Sequence, residues 1–390
     1  MKILILNRDY PRFLADLYAS KPGLSHAPYA EQLRARNASL FGMADFYSHG
    51  FVAAGQNAEE VHVNNRWIQA AWARENGLAA SVPPILGTAR RGVDSRLSQA
   101  VGLARRVLLP FARRFFPRQI RKEETRILAA QIEHMRPDII LNQEMSYVRT
   151  PCLKRMVPRG IKIVGQIASA LPIGENFKRY DLIVSSLPNM VRHFRAAGAR
   201  SELSRLAFDP RVLDRVPQPA ERDVDVSFVG SLSVDHGERL RLVESLARRV
   251  PLKVWGSGVD ELPMSSPIRS CFQGEAWGAH MYGVLSRSRV TINQHIDLAE
   301  GYSNNMRLYE ATGCGALMMV DRGLNLSDMF EPGREVVAYS SVEECIEAVE
   351  HLLSDRTGCA TIAAAGQQRT LSEHTYARRT LELSKLLTQL

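Results

Sequence analysis

The chain has 390 residues, 45% hydrophobic and 23% charged, with a formal net charge of +9. This balance fits a globular protein of two or three domains with ample core, and excludes a disordered or fibrous chain. Cys152, Cys271, Cys314, Cys345 and Cys359 stand at irregular spacing with no C-x-x-C pair, which argues against a disulfide frame or a zinc site and for free thiols in a reducing compartment.

The opening run, Ile3 to Leu6, is apolar and reads as the first strand of an open sheet, and Asn7 to Pro11 (NRDYP) as the loop at its carboxyl end. The run is too short for a signal peptide, and no stretch nears the ~18 apolar residues of a membrane span. Tyr29 to Val52 has helical periodicity and carries Asp45 and His49. Glu60 to Asn64 is strand-like and precedes a helix rich in alanine and tryptophan. Arg90 to Lys122 interleaves ten basic residues with aliphatic and phenylalanine residues against one acid, Asp94. Basic amphipathic stretches of this kind lie on anionic membrane surfaces, or form a solvated helix with its apolar side in the core. Strands follow at Asp138 to Asn142, Ile161 to Ile167 and Asp181 to Ser185, and a helix at Pro188 to Ala197 stops at Gly198. Strands alternating with helices predict a parallel sheet with right-handed crossovers.

Val216 to Arg222 is polar, contains proline and lacks periodicity, so it reads as a linker. Strands are then expected at Val224 to Val229, Leu252 to Trp255, Val290 to Asn293, Ala316 to Val320 and Val336 to Tyr339. Helices are expected at Gly237 to Arg249, Ala276 to Ser286 and Val342 to Leu353, and from about Thr361 in two pieces broken near His374. The reading is an α/β chain of two Rossmann-like, doubly wound parallel-sheet domains, 1–215 and 223–372, facing across a cleft. A C-terminal helix, 373–390, returns to the first domain.

The stretch 303–321 (SNNMRLYEATGCGALMMVD) carries the strongest functional signal. Ser303 or Asn304 is placed to cap a helix whose free N–H groups and dipole favour a phosphate. Arg307 adds a cation in the first turn, Glu310 can accept hydrogen bonds from paired sugar hydroxyls, and Gly313 and Gly315 end the helix. Gly230 and Ser231 follow the first strand of the second domain, with His236 and Arg239 placed to meet a diphosphate. Gly256 and Ser257 follow the next strand, and Asn293 and His295 end the strand before the motif. For a catalytic base the strand-end acids of the first domain are candidates, Asp9 first and Glu144 second, with Asp45 and His49 weaker. Asp223 and Asp225 form a D-x-D, but ahead of a strand rather than at its crevice end, so no metal and no cofactor is expected.

The pattern N-x-R-x-Y-E-A-x-G-x-G, Asn305 to Gly315, resembles the donor-site helix of CgeB-like glycosyltransferases, relatives of the large glycosyltransferase group with the GT-B fold. The DYP loop and Tyr29 to Ala35 (YAEQLRA) resemble the start of the same group. The resemblance implies sugar transfer from a nucleotide-diphosphate sugar to a glycan or lipid-linked acceptor, with Glu310 on the ribose. Retaining members commonly carry a second glutamate eight residues earlier, where this chain has Tyr302, with Glu300 the nearest acid. A nucleotide-sugar epimerase of the same fold and a non-catalytic glycan- or nucleotide-binding assembly protein are the alternatives. The expected location is cytoplasmic, with the inner face of the membrane as the surface if the basic stretch binds lipid, and no nucleic-acid partner is expected.

The basic stretch gives a direct test. Anionic lipid attracts surface Lys and Arg by roughly 1 kcal/mol each, and salt screens the attraction. Co-sedimentation with anionic vesicles should fall steeply with salt and fall again for Arg113→Glu/Arg114→Glu; a protein left in the supernatant at low salt overturns the surface contact.

Overall fold

Most strands of this chain are short apolar runs buried on both faces, which is how parallel strands covered by helices read, with the edge strands 57–62 and 201–203 as exceptions. A computed structural model describes residues 1–80, 120–232, 237–295 and 297–390. The first sheet contains β1 (Lys2–Asn7), β2 (Asn57–His62), β3 (Ile139–Asn142), β4 (Lys162–Gln166), β5 (Leu182–Ser185) and β6 (Ser201–Leu203), in the order β2-β1-β3-β4-β5-β6. The second contains β7 (Val224–Val229), β8 (Leu252–Trp255), β9 (Ser288–Asn293), β10 (Leu317–Asp321) and β11 (Val337–Tyr339), in the order β11-β10-β9-β7-β8. Every pair is parallel. Along β1 the two-residue period sends Ile3 and Ile5 to one core and Leu4 and Leu6 to another.

Each sheet has a point where the strand order reverses: between β1 and β3 in the first, and between β7 and β9 in the second. Ligands of open α/β sheets bind outside the carboxyl ends of the strands at such points. The two crevices lie between two bridges that join the sheets. On one side Asn304 Nδ2 donates to Ser186 O (2.7 Å), Asn189 Nδ2 to Leu298 O (3.1 Å) and Arg192 Nη1 to the Tyr302 hydroxyl (2.9 Å). On the other, the Ala279 amide donates to Ser39 O (2.8 Å), Arg12 pairs with Glu275 (2.7 Å), and the Trp277 ring stands edge-on to Tyr10 and Phe41.

The helix Tyr376–Leu387 packs on the helix Phe46–Ala53, with the Tyr376 ring 5.3 Å from Phe46 and 5.0 Å from Tyr47. Just before it the chain pairs with Phe208: Phe208 N donates to His374 O (2.9 Å) and Tyr376 N to Phe208 O (3.0 Å). The Phe208 ring lies against Gly313, where an added Cβ would sit 2.4 Å from the ring. Gly313 is thus required by close approach, whereas Gly315 supplies the left-handed turn (φ +74°).

The structure corrects three local expectations. The single helix expected over 29–52 is two, Tyr29–Ala38 and Phe46–Ala53, because Leu40, Gly42 and Ala44 all take positive φ between them. The cap of the helix Met306–Gly313 is Asn305, whose Oδ1 accepts from Leu308 N (3.1 Å), rather than Ser303 or Asn304. Asp9 does not face the crevice. Its side chain is 0% exposed, its Oδ1 accepts from Arg36 Nη2 (2.6 Å) and Nε (3.1 Å), and His62 Nδ1 lies 3.4 Å from Oδ2. Burial opposes ionisation of Asp9, but Arg36 and His62 outweigh it and hold the carboxyl well below the usual carboxylate range.

Asp9 thereby anchors the loop after β1. Since its folded pKa is depressed, the pair contributes stability above the ordinary carboxylate range and loses it as pH falls from that range to the depressed value. Asp9→Asn should cost about 3–5 kcal/mol at neutral pH, because Arg36 is left buried without its counter-charge. An unchanged thermal midpoint would contradict this role.

Candidate functional site

At the carboxyl edge of the second sheet, the loop after β7 is zipped to the loop after β8. Gly230 N donates to Trp255 O (3.0 Å) and Leu232 N to Ser257 O (2.8 Å). A Cβ on Gly256 would lie 1.7 Å from Gly230 O, so only glycine permits this approach. Ser231 is exposed at the lip. Arg239 reaches the end of β9, where its Nη2 donates to Gln294 O (2.8 Å). His236 lies outside the described residues.

The helix Met306–Gly313 starts beside this edge, with Asn305 Nδ2 donating to Asn293 Oδ1 (2.9 Å). Arg307 turns away from the open helix start. Its Nε donates to Val229 O (3.1 Å) and its Nη1 pairs with Glu310 Oε2 (2.7 Å). Glu310 is 5% exposed, with Oε1 3.5 Å from the Tyr282 hydroxyl, and burial pushes its pKa up against the pull of Arg307. His295 is fixed by Asp321 Oδ1, which accepts from its amide (3.0 Å) and lies 2.8 Å from its Nδ1. Five buried polar atoms without a hydrogen-bond partner among the described residues gather on this stretch: Asn293 Nδ2, Gln294 Oε1, His295 Nε2, Ser303 Oγ and Asn304 Oδ1. Buried polar groups are paired in the great majority of cases, so these atoms call for a water or a polar ligand.

The first sheet faces this edge with a cavity of about 340 Å³ at the carboxyl ends of β3, β4 and β5. Glu144, Gln143, Gln166, Ser186, Arg8 and Tyr10 are among its walls. Gln143 Nε2 donates to Gln166 Oε1 (2.9 Å), and Gln166 Nε2 to the Tyr47 hydroxyl (2.8 Å), while Gln143 Oε1 and Ser186 Oγ are buried without a partner among the described residues. Burial, with Asp9 nearby, pushes the Glu144 carboxyl up to about 7, although Arg8 pulls the other way. The weaker candidates stand apart. Asp45 pairs with Arg211 (3.0 Å), and His49 is exposed on its helix. Sequence reasoning passed over Arg8, Tyr10, Gln166 and Ser186, although strand-end position marks all four.

Asp223 and Asp225 flank the start of β7, opposite its crevice end, and pair with Arg287 and with Arg289 (2.9 Å). Among the described residues no group of three or more His, Cys, Asp or Glu is placed to hold a metal ion, and no helix is long and apolar enough to cross a membrane. The stretch 90–119 of the basic segment lies outside the described residues.

Residues 239–385 match a family model described as glycosyl transferase-like. The match spans the helix Met306–Gly313 and the strand ends around it. Solved structures with similar folds include Anabaena Alr3699/HepE in complex with UDP-glucose, 13% identical over the whole of both chains with a TM-score of 0.59. Sucrose-phosphate synthase from Thermosynechococcus elongatus is 11% identical over 100% of this chain and 98% of its own, at a TM-score of 0.57. A Rickettsia africae glycosyltransferase is 10% identical with the same coverage, at 0.56. Identities this low carry the fold, which is GT-B: two parallel-sheet α/β domains facing across a cleft. No curated protein matches the sequence.

Proposed function

We propose that the chain is a glycosyltransferase that takes its sugar from a nucleoside diphosphate sugar held by the second domain. The observation that carries this reading is the cluster of polar atoms at Asn293–His295 and Ser303–Asn304 that have no partner among the described residues, beside the start of a capped helix. Amides at a helix start favour a diphosphate, and Glu310 lies one turn along for a ribose. The glycosyl transferase-like match over 239–385 supports the same assignment. HepE bound to UDP-glucose and to UDP suggests a UDP-sugar as the first donor to try.

In this reading the acceptor occupies the cavity of the first sheet and Glu144 is the base. Glu144 takes the proton of an acceptor hydroxyl while its oxygen bonds to the anomeric carbon. The bond from that carbon to the diphosphate breaks, and the nucleoside diphosphate leaves with the electron pair, its charge stabilised by helix-start amides. A carboxyl near 7 is matched to a base working at neutral pH. An acceptor cavity facing the donor crevice favours transfer over epimerisation. No metal role is included, because Asp223 and Asp225 are paired with arginines at the far end of β7; turnover restored only by manganese after EDTA would overturn that part.

Calorimetry with UDP, GDP, CDP and dTDP conjugates identifies the nucleotide. Glu310→Gln should then weaken its binding by about 1–3 kcal/mol, the scale of a lost charged hydrogen bond; equal affinity removes Glu310 from the site. For the base, kcat/KM should rise with pH to a plateau above about 7, and Glu144→Gln should lower kcat by about 10²–10⁴-fold. A flat profile between about pH 6 and 8, with the variant fully active, would remove Glu144.

A further inference from the structure

A second cavity, of about 180 Å³, opens at the other end of the second sheet, away from the donor crevice. Three arginines line it: Arg222, which ends the segment leaving the first domain, Arg289 at the start of β9, and Arg356, the first residue of the helix Arg356–Glu373. Its remaining walls are small residues of that helix, including Cys359, with Gly315 and Gln367. Gly315 keeps it open, since a Cβ there would lie 2.7 Å from Arg222 Nη2.

The charges in this cavity do not balance. Arg222 Nη1 donates to Ser286 O (2.7 Å) and Ser288 O (2.9 Å), and its Nη2 to Cys314 O (3.1 Å). Among the described residues no carboxylate pairs with it. Among the described residues Arg356 meets Glu221, at 3.9 Å, with both side chains largely exposed. Arg289 pairs with Asp225 (2.9 Å), whose side chain is 46% exposed. The exposed Arg356–Glu221 pair contributes little, whereas the Arg289 side chain is 12% exposed and its Nη2 also donates to Leu353 O (3.3 Å). Neither Asp225 nor Glu221 lines the cavity, so its walls carry three guanidinium groups and no acid.

We propose that this cavity binds a small anion of the phosphate class, inorganic phosphate or a compact phosphate ester, at a site separate from the donor crevice. Guanidinium forks match phosphate oxygens in paired hydrogen bonds. The place of the site gives such an anion a role. Arg222 closes one passage of the chain between the sheets, and the helix bearing Arg356 runs straight into the other, at His374 to Tyr376. An anion shared by these arginines joins the end of the linker to the start of β9 and to the first turn of that helix.

The test is calorimetric titration with inorganic phosphate and, separately, with glycerol 3-phosphate, at constant ionic strength. Both the wild type and the variants Arg356→Gln and Arg289→Gln/Arg356→Gln are compared. Arg222 is left in place because it holds four carbonyls. The wild type should bind, and the double variant should bind about tenfold more weakly or worse, as expected for lost charged hydrogen bonds. The stronger of the two ligands distinguishes a free anion from an ester. If the double variant does not fold, Arg356→Gln alone decides, since that side chain is exposed. No binding by the wild type, or equal affinity in wild type and variants, overturns the site. Nucleotide binding should be unchanged in the same variants, so failure here is distinct from failure of the donor assignment.

Discussion

The donor side of this molecule depends on one guanidinium. Arg307 is largely buried, and it spans from the carbonyl that ends β7 to the carboxylate of Glu310. A strand-end carbonyl has no further ladder partner, and a buried carboxylate needs a counter-charge, so one side chain meets both needs. The Gly230 loop and the helix behind it are held in one relation as a result. The contact between Gly230 and Gly256 then carries that relation across to β8. Neither end of Arg307 is free to move without leaving a charge unpaired in a low-dielectric setting.

Most of the architecture was legible because the strands are covered on both faces and read as apolar runs. β6 was not, since Ser201–Leu203 is three residues with only the first buried, and no period shows in so short an edge. The break between the helices at 29–38 and 46–53 was hidden for a different reason. Periodicity runs on through Ser39 to Ala44, while the conformation there is decided by a partner far along the chain, the Ala279 amide on Ser39 O. Sequence patterns report local preference, and that turn is tertiary.

The same division runs through the candidate site. Gly230, Asn293, Asn305 and Glu144 could be placed at a crevice edge from the sequence because each ends or follows a strand or caps a helix, and alternating topology brings those ends to one edge. Asp9 met the same rule and is nonetheless turned inward. Its partners Arg36 and His62 come from a helix and a strand that no spacing ties to it. Arg307 was expected to face a ligand, and the carbonyl of Val229, 78 residues away, holds it inside instead. Charged residues beside a crevice are legible; which way they turn depends on neighbours distant in sequence.

The missing side chain at Gly313 has a mechanical consequence. The Phe208 ring rests where a Cβ would be, and the backbone of Phe208 is bonded to the passage at His374 and Tyr376. The far end of the helix Met306–Gly313 is therefore seated on Phe208, with the ligand end about 12 Å away at the usual rise per residue. A turn of about 10° around Phe208 carries that end some ~2 Å across the opposite sheet. A shift of that size would part Asn304 from Ser186, whose contact is 2.7 Å, so the packing at Gly313 and the contact between the crevices are set by the same helix.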